Sequence, residues 1–449
     1  MTPSFETAAK SIEWPRPVLD VVRALDAAGV GVLAVGGAVR DGLLGRATDD
    51  WDLATASRPQ AVAAALESPK DVDLRLGAVH LELPDGIDLT VTTFRSEAEY
   101  LDRRHPSRVE FVDDLAVDAR RRDFTVNALY LTPAGGLVDP AGGLADLAEQ
   151  RLRCIGPAAQ RFEEDVLRLL RAVRFAAAYD FAIEEGTWRA MQATAPLLAA
   201  LSPARAYDEL TRAFIGQGRG RALRLLVESG LAAAVLPEAA AMTGVPQPPE
   251  YHPEGDVLTH VALVLDAVAD GDPVQAWAAV LHDIGKPPTF EVAADRIRFH
   301  GHDTLSAEMA DVVLRRLHAP RELRESVVEI CRDHIKFAGV MQMRPARRER
   351  WMRSPRFPAH LAFHRADCVG SHGKLDVWAQ AQALWQALPP EGPAPLCSGR
   401  DVIALGVPPG PRVGRLLRAV QEEVEKLDSA DRAVALQILQ RLVRSRYGD

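Results

Sequence analysis

Cysteine is scarce. Four occur in 449 residues, Cys154, Cys331, Cys368 and Cys397. None stands in a Cys-x-x-Cys pair, which excludes zinc-finger spacing and a disulfide framework and points to a reducing compartment. Long apolar runs are missing: none approaches the ~20 residues that a membrane span needs. The N-terminal region carries Glu6, Lys10 and Glu13 in place of a leader-type apolar core. A cytoplasmic location without membrane association is therefore expected. Positive charge is not in excess, because the formal net charge is −9. Any contact with nucleic acid must come from local basic clusters. There is no fixed-period repeat and no long low-complexity tract. What remains is globular material. Apolar residues make up 47% and charged residues 26%, enough for several cores and incompatible with global disorder. The length suggests two to four domains. No feature of the sequence speaks to oligomeric state.

The most informative stretch runs from Val35 to Thr55. An apolar run, Val32-Leu-Ala-Val35, reads as a short strand, followed by Gly36 and Gly37 and a segment that starts a helix near Ala38. Two glycines let the backbone approach a ligand with its N–H groups exposed. Arg40, early in that helix, is placed to meet phosphate oxygens. A second strand then carries Asp50 and Asp52. Residues two apart in a strand share a side, and two carboxylates on one side are a hard-oxygen site for Mg²⁺. Gly-Gly turns and Asp-x-Asp turns are each common alone. Together, in this order, they indicate phosphoryl transfer from a nucleotide.

A helix is expected over Pro17–Ala28, ended by Gly29, and another over Pro59–Leu66. Leu74–Phe94 reads as two strands around the turn Pro84-Asp85-Gly86. The second strand alternates Asp88, Thr90 and Thr92 against mostly apolar neighbours. Glu97–Arg108, with Arg103, Arg104 and Arg108, reads as a mobile loop. Beyond Asp139-Pro-Ala-Gly-Gly143 the strand pattern fades, and Ala, Leu and Arg recur at helical spacing. Proline-rich linkers at Gly244–Glu250 and Pro389–Pro395 divide the remainder. The expected organisation is an α+β chain: a small α/β head over 1–144, a helical neck over 145–243, a histidine-bearing helical region over 250–388 and a helical tail over 396–449.

Within the neck, Asp165, Arg168, Arg171 and Arg174 recur every third residue, a spacing that lines one side of a helix. An ion-paired solvated face would give the same pattern. Chemistry offers a sharper reading. Arginine only donates and ionised aspartate only accepts. Cytosine and adenine each present both an acceptor and a donor that such a pair can satisfy, whereas uracil and guanine leave groups mismatched. Each desolvated mismatch costs about 1–3 kcal/mol.

These stretches, with Arg121-Arg-Asp-Phe-Thr125 and the following Asn127, closely resemble the signatures of the class II tRNA nucleotidyltransferases, the CCA-adding enzymes and bacterial poly(A) polymerases. The resemblance covers about Leu33 to Leu236 in the family's order. It implies a polymerase-β-like nucleotidyltransferase head and template-independent addition of CMP and AMP to the tRNA 3′ end from CTP and ATP with Mg²⁺. It assigns catalysis and metal binding to Asp50 and Asp52. Nucleotide contacts fall to Gly36, Gly37, Arg40, Arg122, Asp123, Asn127, Asp165, Arg168, Arg171 and Arg174, with Glu164-Asp165-x-x-Arg168 reading the base. Addition of A alone and poly(A) synthesis are the alternatives within the family. The full-length Arg95–Phe111 segment favours complete CCA or A-only addition over CC-only. Where polymerase-like enzymes often carry a third carboxylate, this chain has Thr90. Asp88 lies two residues back on the same face and has no firm assignment.

The histidine region holds His252, His260, Leu281-His282-Asp283-Ile-Gly-Lys286, His300, His302, Asp333-His334 and Asp367. A histidine, a His-Asp doublet and a distant aspartate on successive helices can hold a divalent metal. The pattern resembles the HD-type phosphohydrolases, which implies His260, His282, Asp283 and Asp367 as ligands of a second metal and a hydrolytic activity as a further alternative. Arg344, Arg347, Arg348, Arg350, Arg353 and Arg356 form the densest basic run, with Trp351 inside it. It reads either as an RNA grip with a stacking ring or as an exposed ion-paired helix.

Overall fold

The computed structural model describes residues 5–66, 69–100, 106–294, 296–390, 396–427 and 431–447. The chain forms two compact units, Met1–Ala241 with Arg315–Ala319, and Met242–Leu314 with Pro320–Asp449. Head and neck share the first unit; the histidine region and tail share the second.

The head is built on a seven-stranded mixed sheet of order β3-β4-β5-β2-β1-β8-β9. Its strands are β1 (Leu33–Val35), β2 (Asp50–Thr55), β3 (Asp71–Asp73), β4 (Ala78–Glu82), β5 (Asp88–Thr93), β8 (Tyr130–Leu131) and β9 (Leu137–Val138). β1 is short and apolar, which suits its central place between β2 and β8. β2 alternates: Trp51 and Leu53 enter the core, while Asp50 and Asp52 face the other way. β2 runs parallel to β5, with Asp50 opposite Asp88 and Asp52 opposite Thr90. The glycine helix, Gly37–Leu43, leaves β1 through Gly36, whose φ of 77° is open to glycine alone at little cost.

The expected mobile loop is instead a hairpin. β6 (Arg95–Tyr100) pairs antiparallel with β7 (Pro106–Phe111), Glu97 opposite Val109. Its polar sequence hid this because the charges satisfy one another: Glu97 takes Arg95 at 2.6 Å and Arg121 at 3.6 Å. Arg103 and Arg104 lie outside the described residues, as do residues 391–395 of the second expected linker.

The neck is helical except for one small parallel pair, β10 (Arg151–Leu152) with β11 (Ala182–Ile183). Asp165 does not share the arginine helix. It follows the helix Ala158–Glu164 in an extended conformation, φ −140° and ψ 102°, and the ladder helix, Leu167–Tyr179, begins beyond it. A carboxylate here accepts the Leu167 N–H at 3.1 Å, so local capping wins over continuation of the helix.

In the second unit, the helix Pro273–Leu281 is buried on every side from Gln275 onward, as a central core helix must be. Helices Val257–Ala267, His302–Arg316, Arg321–Ala338 and Phe357–Val369 complete this region, with a small hairpin of β12 (Phe290–Val292) and β13 (Ile297–Phe299). The tail helices Gly399–Ala404, Pro411–Lys426 and Arg432–Tyr447 carry their own apolar cluster around Val402, Leu416, Val420 and Leu439. All four cysteines are free and buried. No helix among the described residues is long and apolar enough to cross a membrane.

Candidate functional site

Strand alternation puts Asp50 and Asp52 on one face of β2. Neither carboxylate makes a hydrogen bond or ion pair among the described residues. Burial raises the Asp50 carboxyl above its ordinary value, and the charge of Asp88 adds to this. Burial also raises Asp52, against the pull of Arg122. Acidic groups held at a cost, without protein donors, are a donor set suited to a hard cation. A Cβ built on Gly36 would lie 3.5 Å from Asp52 Oδ2 and 3.6 Å from Arg122 Nη1. The glycine bend, one carboxylate and one guanidinium thus meet at a single point.

Arg122 is oriented by groups that the sequence reading passed over. Its Nε donates to the Tyr130 hydroxyl at 3.2 Å and its Nη2 to Asp118 at 3.4 Å. Asp118 is fully buried and also takes Arg121 Nε at 2.8 Å and the Tyr130 hydroxyl at 2.8 Å. The only sequence signal was the i,i+4 spacing of Asp118 and Arg122. Asp123 accepts from Asn127 Nδ2 at 3.0 Å and pairs with Arg171 at 2.7 Å. These contacts hold its carboxyl well below the usual range despite burial.

Arg40 is not presented to solvent. It is 4% exposed and makes four hydrogen bonds, to both oxygens of Asp41, to Asn127 and to the Tyr179 hydroxyl. Its guanidinium lies 4.2 Å from the centre of the Tyr179 ring. The structure therefore makes it a buried cross-link between the glycine helix and the ladder helix, where the sequence suggested a phosphate contact. A helix start reads as exposed until the neck packs over it.

The ladder is not one uniform face. Arg168 is buried, donating to the carbonyls of Arg121 at 2.9 Å and Arg161 at 3.1 Å and to Glu164 at 3.3 Å. Its Nε–H is engaged in none of these bonds. Asp165 sits 3.8 Å from Arg205 instead of pairing with Arg168. Arg174 pairs with buried Glu209 at 2.5 Å. Arg171 has the most exposed side chain of the three arginines.

The second unit brings His260, His282 and Asp367 into one group, and Asp283, His302 and His334 into another. His302 and His334 were outside the ligand set expected from sequence, while Asp333 points elsewhere and pairs with Lys336 at 2.9 Å. His282, His302 and His334 each have Nδ1 within 2.6–2.9 Å of a backbone carbonyl, of Ala279, Phe299 and Cys331 respectively. Nδ1 therefore carries the proton, and each Nε2 lone pair is turned inward. Those Nε2 atoms stand 3.2, 3.5 and 3.7 Å from Asp283. Asp283 Oδ1 and the Nε2 atoms of His302 and His334 are buried without a hydrogen-bond partner among the described residues. Lone pairs facing a buried carboxylate repel unless a cation lies between them, so these residues fit a divalent metal. Lys286 meets the other oxygen, Oδ2, at 2.7 Å, so one positive charge already faces that side of the carboxylate.

Residues 32–153 match the poly(A) polymerase head domain. Residues 180–243 match the probable RNA and SrmB-binding site of polymerase A, and residues 257–356 match the HD domain. Curated relatives include CCA-adding enzymes of two Streptococcus pyogenes strains, serotypes M2 and M5, each 45% identical over 194 residues. The matched stretch is 43% of this chain and spans about half, 48%, of each relative. Among solved structures, the Bacillus stearothermophilus CCA-adding enzyme in complex with CTP is 26% identical, with a TM-score of 0.72 over 96% of this chain and 98% of that one. The Thermotoga maritima CCA-adding enzyme complexed with tRNA is 18% identical, with a TM-score of 0.60 over 98% and 99% of the two chains, a likeness of fold.

Proposed function

We propose that this chain belongs to the tRNA nucleotidyltransferase and poly(A) polymerase family, a reading supported by its matches to a poly(A) polymerase head, an RNA-binding region and an HD domain, and that it completes the 3′ CCA end of tRNA from CTP and ATP. The observation that carries the reading is the meeting of Asp52 with the Gly36 bend and Arg122, with Asp50 beside it on the same face of β2 and neither carboxylate paired among the described residues. Asp50 and Asp52 would hold Mg²⁺, which when bound lowers the pKa of the attacking hydroxyl and stabilises departing pyrophosphate. Gly36 and Gly37 admit the triphosphate close to the backbone, and the Arg122 guanidinium, held by Asp118 and Tyr130, meets its charge. The tRNA 3′ hydroxyl attacks the α-phosphorus in line, and no covalent protein intermediate is required. Asp165 and the Nε–H of Arg168 are the acceptor and donor offered to the base edge. Asp123 and Asn127 keep Arg171 and Arg40 in place beside them. The tRNA-processing likeness also supports a cytoplasmic location.

The test is incorporation of labelled CTP and ATP into tRNA lacking its terminus. Asp50→Ala and Asp52→Ala should each lower the rate by at least about a hundredfold, the cost of removing a charge-stabilising group from a preorganised site. A rate near that of the parent in either variant rejects the assignment. Offering tRNA that ends before the first C, tRNA that ends in CC, and unrelated RNA separates CCA synthesis from A-only addition and from poly(A) synthesis.

The convergent imidazoles of the second unit favour an additional reading, a metal-dependent phosphohydrolase. His260, His282, His302, His334, Asp283 and Asp367 would hold divalent metal, which when bound supplies a hydroxide nucleophile near neutral pH. Hydrolysis of a phosphomonoester or cyclic phosphate that survives Asp52→Ala and disappears in Asp283→Ala is the expected result. Equal hydrolysis by Asp283→Ala removes this reading and leaves the first intact.

A further inference from the structure

Six arginines between Arg344 and Arg356 looked equivalent in sequence, and the structure divides them. Arg348 donates to the Met341 carbonyl at 3.1 Å, Arg353 to Glu349 and the Pro389 carbonyl, both at 2.9 Å, and Arg356 pairs with Glu329. These three are folded back onto the protein. Arg344, Arg347 and Arg350 are exposed and line an open cavity of about 840 Å³, together with Lys336, Met343, Trp351, Ser354 and Glu422. They stand three residues apart along the helix Pro345–Met352 and its cap, so they share a face and extend over roughly 9 Å of its axis. Arg347 makes no hydrogen bond or ion pair among the described residues. Three exposed arginines thus line one cavity with Glu422 and with Lys336, itself paired to Asp333 at 2.9 Å, in a chain whose net charge is −9.

We infer that this cavity is a second RNA contact, one that grips the sugar–phosphate backbone of the substrate without reading its bases. A row of guanidiniums this long exceeds one phosphate group and fits successive phosphates of a polyanion. Trp351 is not a stacking platform, contrary to one sequence reading. Lys336 Nζ covers its face at 4.1 Å, and Phe337, His360 and Phe357 crowd it with ring centroids at 5.4, 5.4 and 5.8 Å. The contact is therefore made by charge alone, which positions an RNA and carries no sequence information. Naming the polyanion as RNA rests on the proposed function. The site itself lies outside residues 180–243, which match an RNA-binding model.

The experiment measures binding of full-length protein to a tRNA lacking its 3′ terminus, by fluorescence anisotropy across a salt series. Arg347→Glu with Arg350→Glu should weaken binding about tenfold or more at low salt and reduce the slope of log affinity against log salt by about 1.5, two contacts at ~0.7–0.9 each. Affinity for CTP should stay that of the parent. Arg321→Glu, an equal loss of charge per residue at an exposed site away from the cavity, should change the slope little. Should the double variant fail to fold, Arg347→Gln alone is expected to lower the slope by about 0.8. Unchanged RNA affinity and slope in a folded cavity variant overturn the inference, as does an equal loss in Arg321→Glu. Its failure would leave the loss of incorporation in Asp52→Ala untouched, so the two claims stand or fall separately.

Discussion

Asp118 shows how much a single buried carboxylate can organise. It touches no candidate substrate position, yet it anchors Arg122, which faces Asp52 across the Gly36 bend. Burial alone would raise its carboxyl. Arg121 and Arg122 beside it, helped by the Tyr130 hydroxyl, hold it below its usual value instead. A carboxyl depressed in the folded state contributes stability above its unfolded pKa of about 3.9, and that stability is lost as pH falls toward the folded value. Thermal unfolding followed from pH 7 to pH 3 should therefore show an acid limb that flattens in Asp118→Asn. At pH 7 the same change should cost about 3 kcal/mol, the scale for removing one partner of a buried ion pair. An unchanged acid limb would show that Asp118 does not couple to folding. This residue was not legible as special in the sequence, because an Asp four before an Arg on a helix is common. Asp50 and Asp52 were legible, because a spacing of two on a strand places both on one face whatever surrounds them.

At the scale of elements, the glycine helix and the ladder helix are joined by Arg40, Asp41 and Tyr179. The Tyr179 hydroxyl donates to Asp41 at 2.7 Å while accepting from Arg40. Its ring also lies beneath the Arg46 guanidinium at 4.6 Å. Tyr179→Phe keeps the ring and removes the hydroxyl, so it should cost about 1–2 kcal/mol and lower the midpoint in thermal unfolding. Tyr179→Leu, which also removes the cation–π contacts, should cost more; the reverse order would show that the hydroxyl and not the ring makes the joint. The ladder itself was half legible. Its three-residue period correctly put Arg168, Arg171 and Arg174 on one helix. It misplaced Asp165, because periodicity cannot see a carboxylate that caps the following turn and so ends the preceding one. The hairpin β6–β7 was missed for a related reason: polar alternation reads as loop unless the partners that neutralise it are known.

For the molecule as a whole, the two compact units offer two chemically different candidate metal sets. One is carboxylate only, Asp50 and Asp52. The other is imidazole with carboxylate, around Asp283. Ligand softness predicts that Mg²⁺ belongs to the first and a transition ion to the second. Added Mn²⁺ at a hundred times its dissociation constant should stabilise the histidine-bearing unit by about 2.7 kcal/mol. The shift is expected to vanish in Asp283→Ala and persist in Asp52→Ala, as read by calorimetry. The sequence alone determined the order of head, neck and histidine-bearing region, the paired carboxylates behind a glycine bend, and the His-Asp doublet, all of which are encoded by neighbours within a few residues. Tertiary structure alone decided that Arg40 is a buried link, that three of six arginines face a cavity, and that His302 and His334 join Asp283. Those outcomes depend on which donors and acceptors meet across many intervening residues, and burial makes each such pairing obligatory without leaving any local trace in the chain.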